Sequence, residues 1–145
     1  MNLKVTSLIA FVVAVAGVVY LYTKDYIFSE NPITIAIQIL AVGLMIWARL
    51  TFGIRSFNAS ANTTKGKLVS TGPYRWFRHP IYASIIYFFI GSAIAFPFVE
   101  VIGAVFLIIA GLFVRMLLEE KSLFITYNEY AEYCRKTKRI IPFIF

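Results

Sequence analysis

Cysteine occurs once in the 145 residues, at Cys134, and histidine once, at His79. A lone cysteine excludes an internal disulfide, and its bland reading is a helix-surface or packing residue. One histidine, one cysteine and seven scattered acids assemble no familiar ligand set, so no metal site is expected. No Gly-x-Ser-x-Gly elbow is there for the histidine to serve, which argues against a serine triad. Charge is scarce as well: 14% of residues are Asp, Glu, Lys or Arg, against about 25% in soluble domains. Also missing is any apolar run of the ~20 residues that cross a hydrocarbon core comfortably.

What is present is grease: 60% of residues are hydrophobic and mean hydropathy is +0.78. The chain reads as one small all-α integral membrane domain, built from helix contacts within lipid. Four apolar runs, Val5 to Tyr22, Ile33 to Ala48, Ile81 to Phe96 and Phe98 to Val114, have 16 to 18 residues each. Flanking aromatics such as Trp47, Phe52, Trp76 and Phe77 extend them into the interface, which predicts four short transmembrane helices. Only Pro97 separates the third run from the fourth, predicting a tight helical hairpin with Glu100 near its tip. The first run carries Ala14-Val-Ala16, a small-residue pattern of the kind a signal peptidase cuts. It continues apolar to Tyr22, so it is read as a retained first helix.

The formal net charge is +7, and most of it lies in two places. Arg49, Arg55, Lys65, Lys67, Arg75 and Arg78 fall between the second and third runs; Lys121, Arg135, Lys136, Lys138 and Arg139 follow the fourth. Cations are held on the cytoplasmic side, so a multi-pass cell-membrane protein with both termini and its polar clusters in the cytoplasm is expected. Basic residues tied this closely to spans suit anionic headgroups, and nucleic acid is not an expected partner. The chain divides into an N-terminal two-helix part, residues 1–55, and a part carrying the chemistry, residues 56–145. Residues 56–67 are small and polar, a surface loop able to fold over a ligand. From Arg115 to Cys134 the helical spacing persists, predicting that the last helix runs on and then lies at the cytoplasmic interface.

Two polar clusters carry the candidate chemistry. The first, Leu68 to Tyr82, holds Arg75, Arg78 and His79 between the Gly72-Pro73 turn signal and the third run. Pro80 suits a first helical position, whose free amides favour anions; the bland alternative for His79 is a cap-region hydrogen bond. The second is Arg115, Glu119 and Glu120. Arg115 and Glu119 are four apart and share a helix face, as a plain ion pair or as two walls of one cavity. The adjacent Glu120 then wants a cation from elsewhere: Arg75, Arg78, His79 or a ligand.

Leu68-Val-Ser-Thr-Gly-Pro-Tyr-Arg-Trp-Phe-Arg-His-Pro-Ile-Tyr82, then Arg115-x-x-x-Glu119-Glu120, then Tyr127-x-x-Tyr130-x-x-Tyr133-Cys-Arg with Pro142 beyond, resembles the isoprenylcysteine carboxyl methyltransferase family over about the last 80 residues. The resemblance implies methyl transfer from S-adenosylmethionine to a lipophilic or prenylated substrate at the cytoplasmic face, with membrane lipid as the other partner. It implies a cofactor pocket lined by Lys67, Leu68, Val69, Tyr74, His79, Pro80, Ile81 and Tyr82. By the same resemblance Glu119 binds the cofactor and Arg115 binds substrate; the neighbouring Glu120 is a further candidate for the cofactor and Arg75 for the substrate. A carboxylate acceptor arrives ionised and needs no general base, whereas an amine must first lose a proton.

The sequence departs from relatives at Lys67, where they commonly carry histidine, and lacks a clear equivalent of the glutamine that some place upstream. Three other readings stay open. Phospholipid N-methylation uses the same donor. The steroid-reductase-like enzymes share Arg-His-Pro but follow it with polar residues where this chain has Ile81, Ser84 and Ile85. A small scaffold or channel-like protein would need both polar clusters to be accidental. The oligomeric state is not legible.

Overall fold

A computed structural model describes residues 3–53 and 68–141. The described residues form five α-helices: α1 (Leu3–Thr23), α2 (Pro32–Phe52), α3 (Pro80–Ala95), α4 (Val99–Thr126) and α5 (Tyr130–Lys136), with a 3-10 turn at Gly72–Arg75 ahead of α3. No strand is found among them, and the one isolated bridge pairs Phe77 with Lys138.

Local chemistry sets the helix ends. The Asn31 side chain accepts a hydrogen bond from the Ile33 amide at 2.9 Å, and Pro32 opens α2 with its φ already fixed. Gly53 closes that helix at φ 74°, a left-handed value that glycine adopts without strain. Gly72 is also left-handed, at φ 56°, and a Cβ there would lie 2.5 Å from Thr51 Oγ1. The Gly-Pro-Tyr turn therefore presses against the end of α2, and only glycine fits. α3 opens on Pro80 and stops at Ala95, two residues before Pro97, which disfavours helix in the residue preceding it.

α1 lies along α4, α2 lies along α3, and α3 meets α4 across a smaller contact, so the helices stand in the order α1, α4, α3, α2. The small residues of α1 face inward: Ser7, Ala10, Ala14 and Gly17 are buried with Leu21, while Leu8, Val12 and Val19 are exposed. Bulky apolar groups outside and small groups inside reverse the soluble pattern and suit helices packed in lipid. α2 and α3 are joined by polar groups: Gln38 Nε2 donates to the Ile27 carbonyl at 2.7 Å and to Ser92 Oγ at 3.2 Å, and Ser92 donates to the same carbonyl at 2.9 Å. Gln38→Leu is expected to cost about 0.6–1.7 kcal/mol, the range of single polar contacts between membrane helices. Thermal unfolding in detergent measures it.

The structure amends the sequence reading in three places. Three helices, α1, α2 and α4, are long and apolar enough to cross a membrane; α3, where a fourth crossing is expected, has 16 residues. α2 runs past Ala48 to Phe52, because Leu50 and Phe52 extend its apolar surface. The helix expected to continue from Arg115 to Cys134 breaks at Tyr127, whose backbone is extended at φ −121°, ψ 114°, and restarts at Tyr130. The restart lets Tyr130 turn inward, 1% exposed, with its ring 4.8 Å from that of Phe124.

Candidate active site

The candidate residues converge where the end of α4 meets the beginning of α3. Tyr82, in the first turn of α3, donates its hydroxyl proton to Glu119 Oε1 at 2.5 Å. The His79 ring stacks on Tyr82 with centroids 5.7 Å apart, and its Nδ1 lies 3.7 Å from Glu119 Oε2. Arg115, one turn before Glu119 on α4, places Nη2 3.9 Å from Glu119 Oε1, and its Nε lies 3.4 Å from the Tyr82 hydroxyl. That guanidinium is buried beneath α1, its central carbon 5.1 Å from the Phe11 ring centroid.

The two neighbouring acids have different surroundings. The Glu119 side chain keeps 27% of its surface exposed, while Glu120 keeps 7%. Glu120 Oε1 accepts from Arg78 Nε at 3.0 Å, Oε2 accepts from Arg139 Nη2 at 2.9 Å, and His79 Nε2 lies 3.4 Å from Oε1. Hydrogen bonding to Glu120 raises the pKa of the Arg139 guanidinium above the ordinary value. His79 thus stands between the two carboxylates, which explains why a residue at the start of a helix makes no side-chain cap.

Tyr74 in the 3-10 turn is buried, with its ring 5.5 Å from that of Phe52, and burial raises its phenol pKa. The Tyr133 hydroxyl donates to the Tyr74 carbonyl at 2.6 Å, tying α5 to the turn. Leu68 and Val69 are half-buried ahead of it, and Pro80 and Ile81 form the first turn of α3. Arg75 is exposed and lies over the Trp76 ring at 5.1 Å. Among the described residues the polar partners of Glu119 and Glu120 are Arg78, His79, Tyr82, Arg115 and Arg139, so Arg75 does not join them. Lys67 and the loop 56–66 lie outside the described residues, as does Pro142.

Arg139 is the member that motif reading passed over. It appears in the sequence as one more cation of the tail, at no helical spacing from Glu120 and 60 residues from His79. The signal available in advance was the second acid, which demanded a cation without saying which.

The donor set suits a cationic organic ligand: one carboxylate with an open face and aromatic rings beside it. No curated protein and no solved structure matches the chain. A family model described as phospholipid methyltransferase matches residues 31–130, from the cap of α2 to the first residue of α5. With more than half of its length inside that match, His79, Tyr82, Arg115 and Glu119 included, the chain belongs to the phospholipid methyltransferase family, membrane enzymes whose methyl donor is S-adenosylmethionine.

Proposed function

We propose that this chain methylates the carboxylate of an isoprenylcysteine-like lipid at the cytoplasmic membrane surface. One observation carries the reading: a part-open acid, Glu119, and a buried guanidinium, Arg115, stand one helical turn apart at a loose 3.9 Å. A carboxylate at that edge suits the ammonium of a methionyl group, and a guanidinium fork suits an acceptor carboxylate held bidentately.

S-Adenosylmethionine, when bound, supplies a methyl group already activated on a sulfonium. The chain's task is then to bind, align and exclude water. Glu119 accepts from the donor's ammonium, and the faces of Tyr74 and Tyr82 favour its positive sulfur. Leu68, Val69, His79, Pro80 and Ile81 line the rest of the pocket, and Lys67 joins them on the strength of the resemblance. Arg115 orients the acceptor, and the exposed Arg75 meets headgroup anions at the surface. A cleft of about 190 Å3 between α2 and α3, with Ala41, Met45, Ser84 and Phe88 among its walls, offers a lipid chain a lateral seat.

The topology that goes with this has four crossings. α3 rises about 24 Å and is lengthened by the interfacial Trp76 and Phe77, then turns back through residues 96–98 as a tight hairpin with α4. Cations before α3 and after α4 place both termini and the site in the cytoplasm, with α5 at the interface. Residues 1–55 supply support and residues 56–145 the chemistry.

A second reading, N-methylation of a phospholipid amine, is favoured by the description of the matching family. Membranes containing the chain and a radiolabelled methyl donor separate the two. Mild alkali is expected to release the label as volatile methanol, because a methyl ester hydrolyses to methanol and a methylated amine does not. Label that alkali leaves non-volatile, on lipid or on a water-soluble headgroup freed by deacylation, transfers the assignment to phospholipid amines; no label at all sinks methyl transfer.

A further inference from the structure

Glu120 and Arg139 have no part in the chemistry above, yet Glu120 is the more elaborately held of the two acids. Its Oε1 receives Arg78 Nε, and Arg139 Nε reaches both oxygens at 3.2 and 3.1 Å. Arg78 extends the connection, since its Nη1 donates to the carbonyls of Cys134 at 3.1 Å and Thr137 at 2.6 Å, at the end of α5. A cation at a helix C-terminus is favourable. The backbone follows the same path: the Arg78 amide donates to the Lys138 carbonyl at 2.6 Å, the Lys138 amide to Trp76 at 3.1 Å, and the His79 amide to Arg139 at 3.1 Å. Farther along, the Tyr87 hydroxyl donates to the Ile140 carbonyl. Residues 137–140 are thereby strapped across the chain just before α3, with Arg139 at Glu120.

We infer that Arg78, Glu120 and Arg139 form a latch that fixes the strap, and through it His79 and Tyr82, against Glu119. Glu120 is then a positioning residue, not a ligand of the methyl donor. The chain of contact runs from Arg139 to Glu120, to His79, to the stacked Tyr82, to Glu119. Both Glu120 oxygens are occupied by guanidinium groups and the side chain is buried, so a cationic ligand has no open approach to it. The same burial makes the latch consequential: removing one cation from a buried carboxylate leaves charge uncompensated. Arg139 lies beyond the span matched by the family model, so this part of the site is built by the chain's own tail.

The donor-binding arm of the test rests on the proposed role of Glu119; the exchange arm does not. The full chain in nanodiscs is compared as wild type, Arg139→Ala, Arg139→Lys, Glu120→Gln and the Glu120→Gln/Arg139→Ala double variant. S-Adenosylhomocysteine binding is read by calorimetry, and amide hydrogen exchange at Arg78, His79 and Lys138 without ligand. Arg139→Ala and Glu120→Gln are each expected to weaken binding about tenfold, and the double variant no further, because both break one unit. Arg139→Lys keeps the charge but not the fork and is expected to recover part of the loss. Exchange at the three amides is expected to rise at least tenfold in Arg139→Ala. Independent, multiplying losses overturn the latch. So does a Glu120→Gln variant that loses binding while Arg139→Ala keeps it, because Glu120 would then touch the donor itself. Unchanged exchange overturns it whatever the binding. Faster exchange with no ligand binding even in wild type would leave the latch standing and remove the donor role of Glu119.

Discussion

Glu119→Gln is expected to lower kcat/KM for the methyl donor about 100-fold, or about 2.7 kcal/mol. The amide keeps the shape of the carboxylate, and its oxygen still accepts from Tyr82. What it loses is the charge that faces the open side of the cluster, where 27% of the side chain is exposed. Hydrogen bonds to charged groups contribute about 1.5–3 kcal/mol, and in the proposed role a donor ammonium would draw on that charge directly. Stability is expected to change little, since the pair with Arg115 is loose at 3.9 Å and His79 lies 3.7 Å away. Donor binding by calorimetry, beside thermal unfolding of the same sample, separates the effects. A Glu119→Gln protein that binds donor as wild type does would remove Glu119 from the pocket and leave it a helix-end partner of Arg115.

Residue spacing made much of this cluster readable, because its members are close in sequence within each half. The four-residue interval puts Arg115 and Glu119 on one face, and Pro80 marks the start of the helix that carries Tyr82. Joining the halves took two ordered motifs, and the structure does bring Tyr82 and His79 to Glu119. The difference between Glu119 and Glu120 was not readable, because it depends on which way a helix faces a tail folded back from 19 residues on. Arg75 and Arg78 look equivalent in sequence. The 3-10 turn sends the first outward over Trp76 and the second inward to Glu120. The break at Tyr127 was hidden for a related reason: the apolar and aromatic spacing continues through it, and burial of Tyr130 in tertiary contacts overrides the local pattern.

Gly111→Val is expected to destabilise the chain by about 3 kcal/mol, at the upper end of overpacking costs. A Cβ at Gly111 would lie 2.5 Å from the Ala10 carbonyl oxygen and 3.0 Å from the Ala14 Cβ, so the obstacle is the backbone of α1, which cannot rotate aside. α1 has to move off α4, and Phe11 moves with it. Phe11 covers the Arg115 guanidinium, so methyl transfer is expected to fall more than the unfolded fraction explains, even well below the unfolding midpoint. Gly103→Ala on the same helix is the control: nothing lies within 4 Å of its Cβ, and alanine is expected to stabilise the helix by about 0.5–1 kcal/mol. Unfolding and activity of both variants in one detergent test the contrast. A Gly111→Val protein that melts and turns over like wild type would dissolve the contact between α1 and α4. The family match begins at residue 31, after α1 has ended. If the contact holds, the guanidinium proposed to orient the acceptor is covered by a helix outside the matched span, so α1 supports the site through packing.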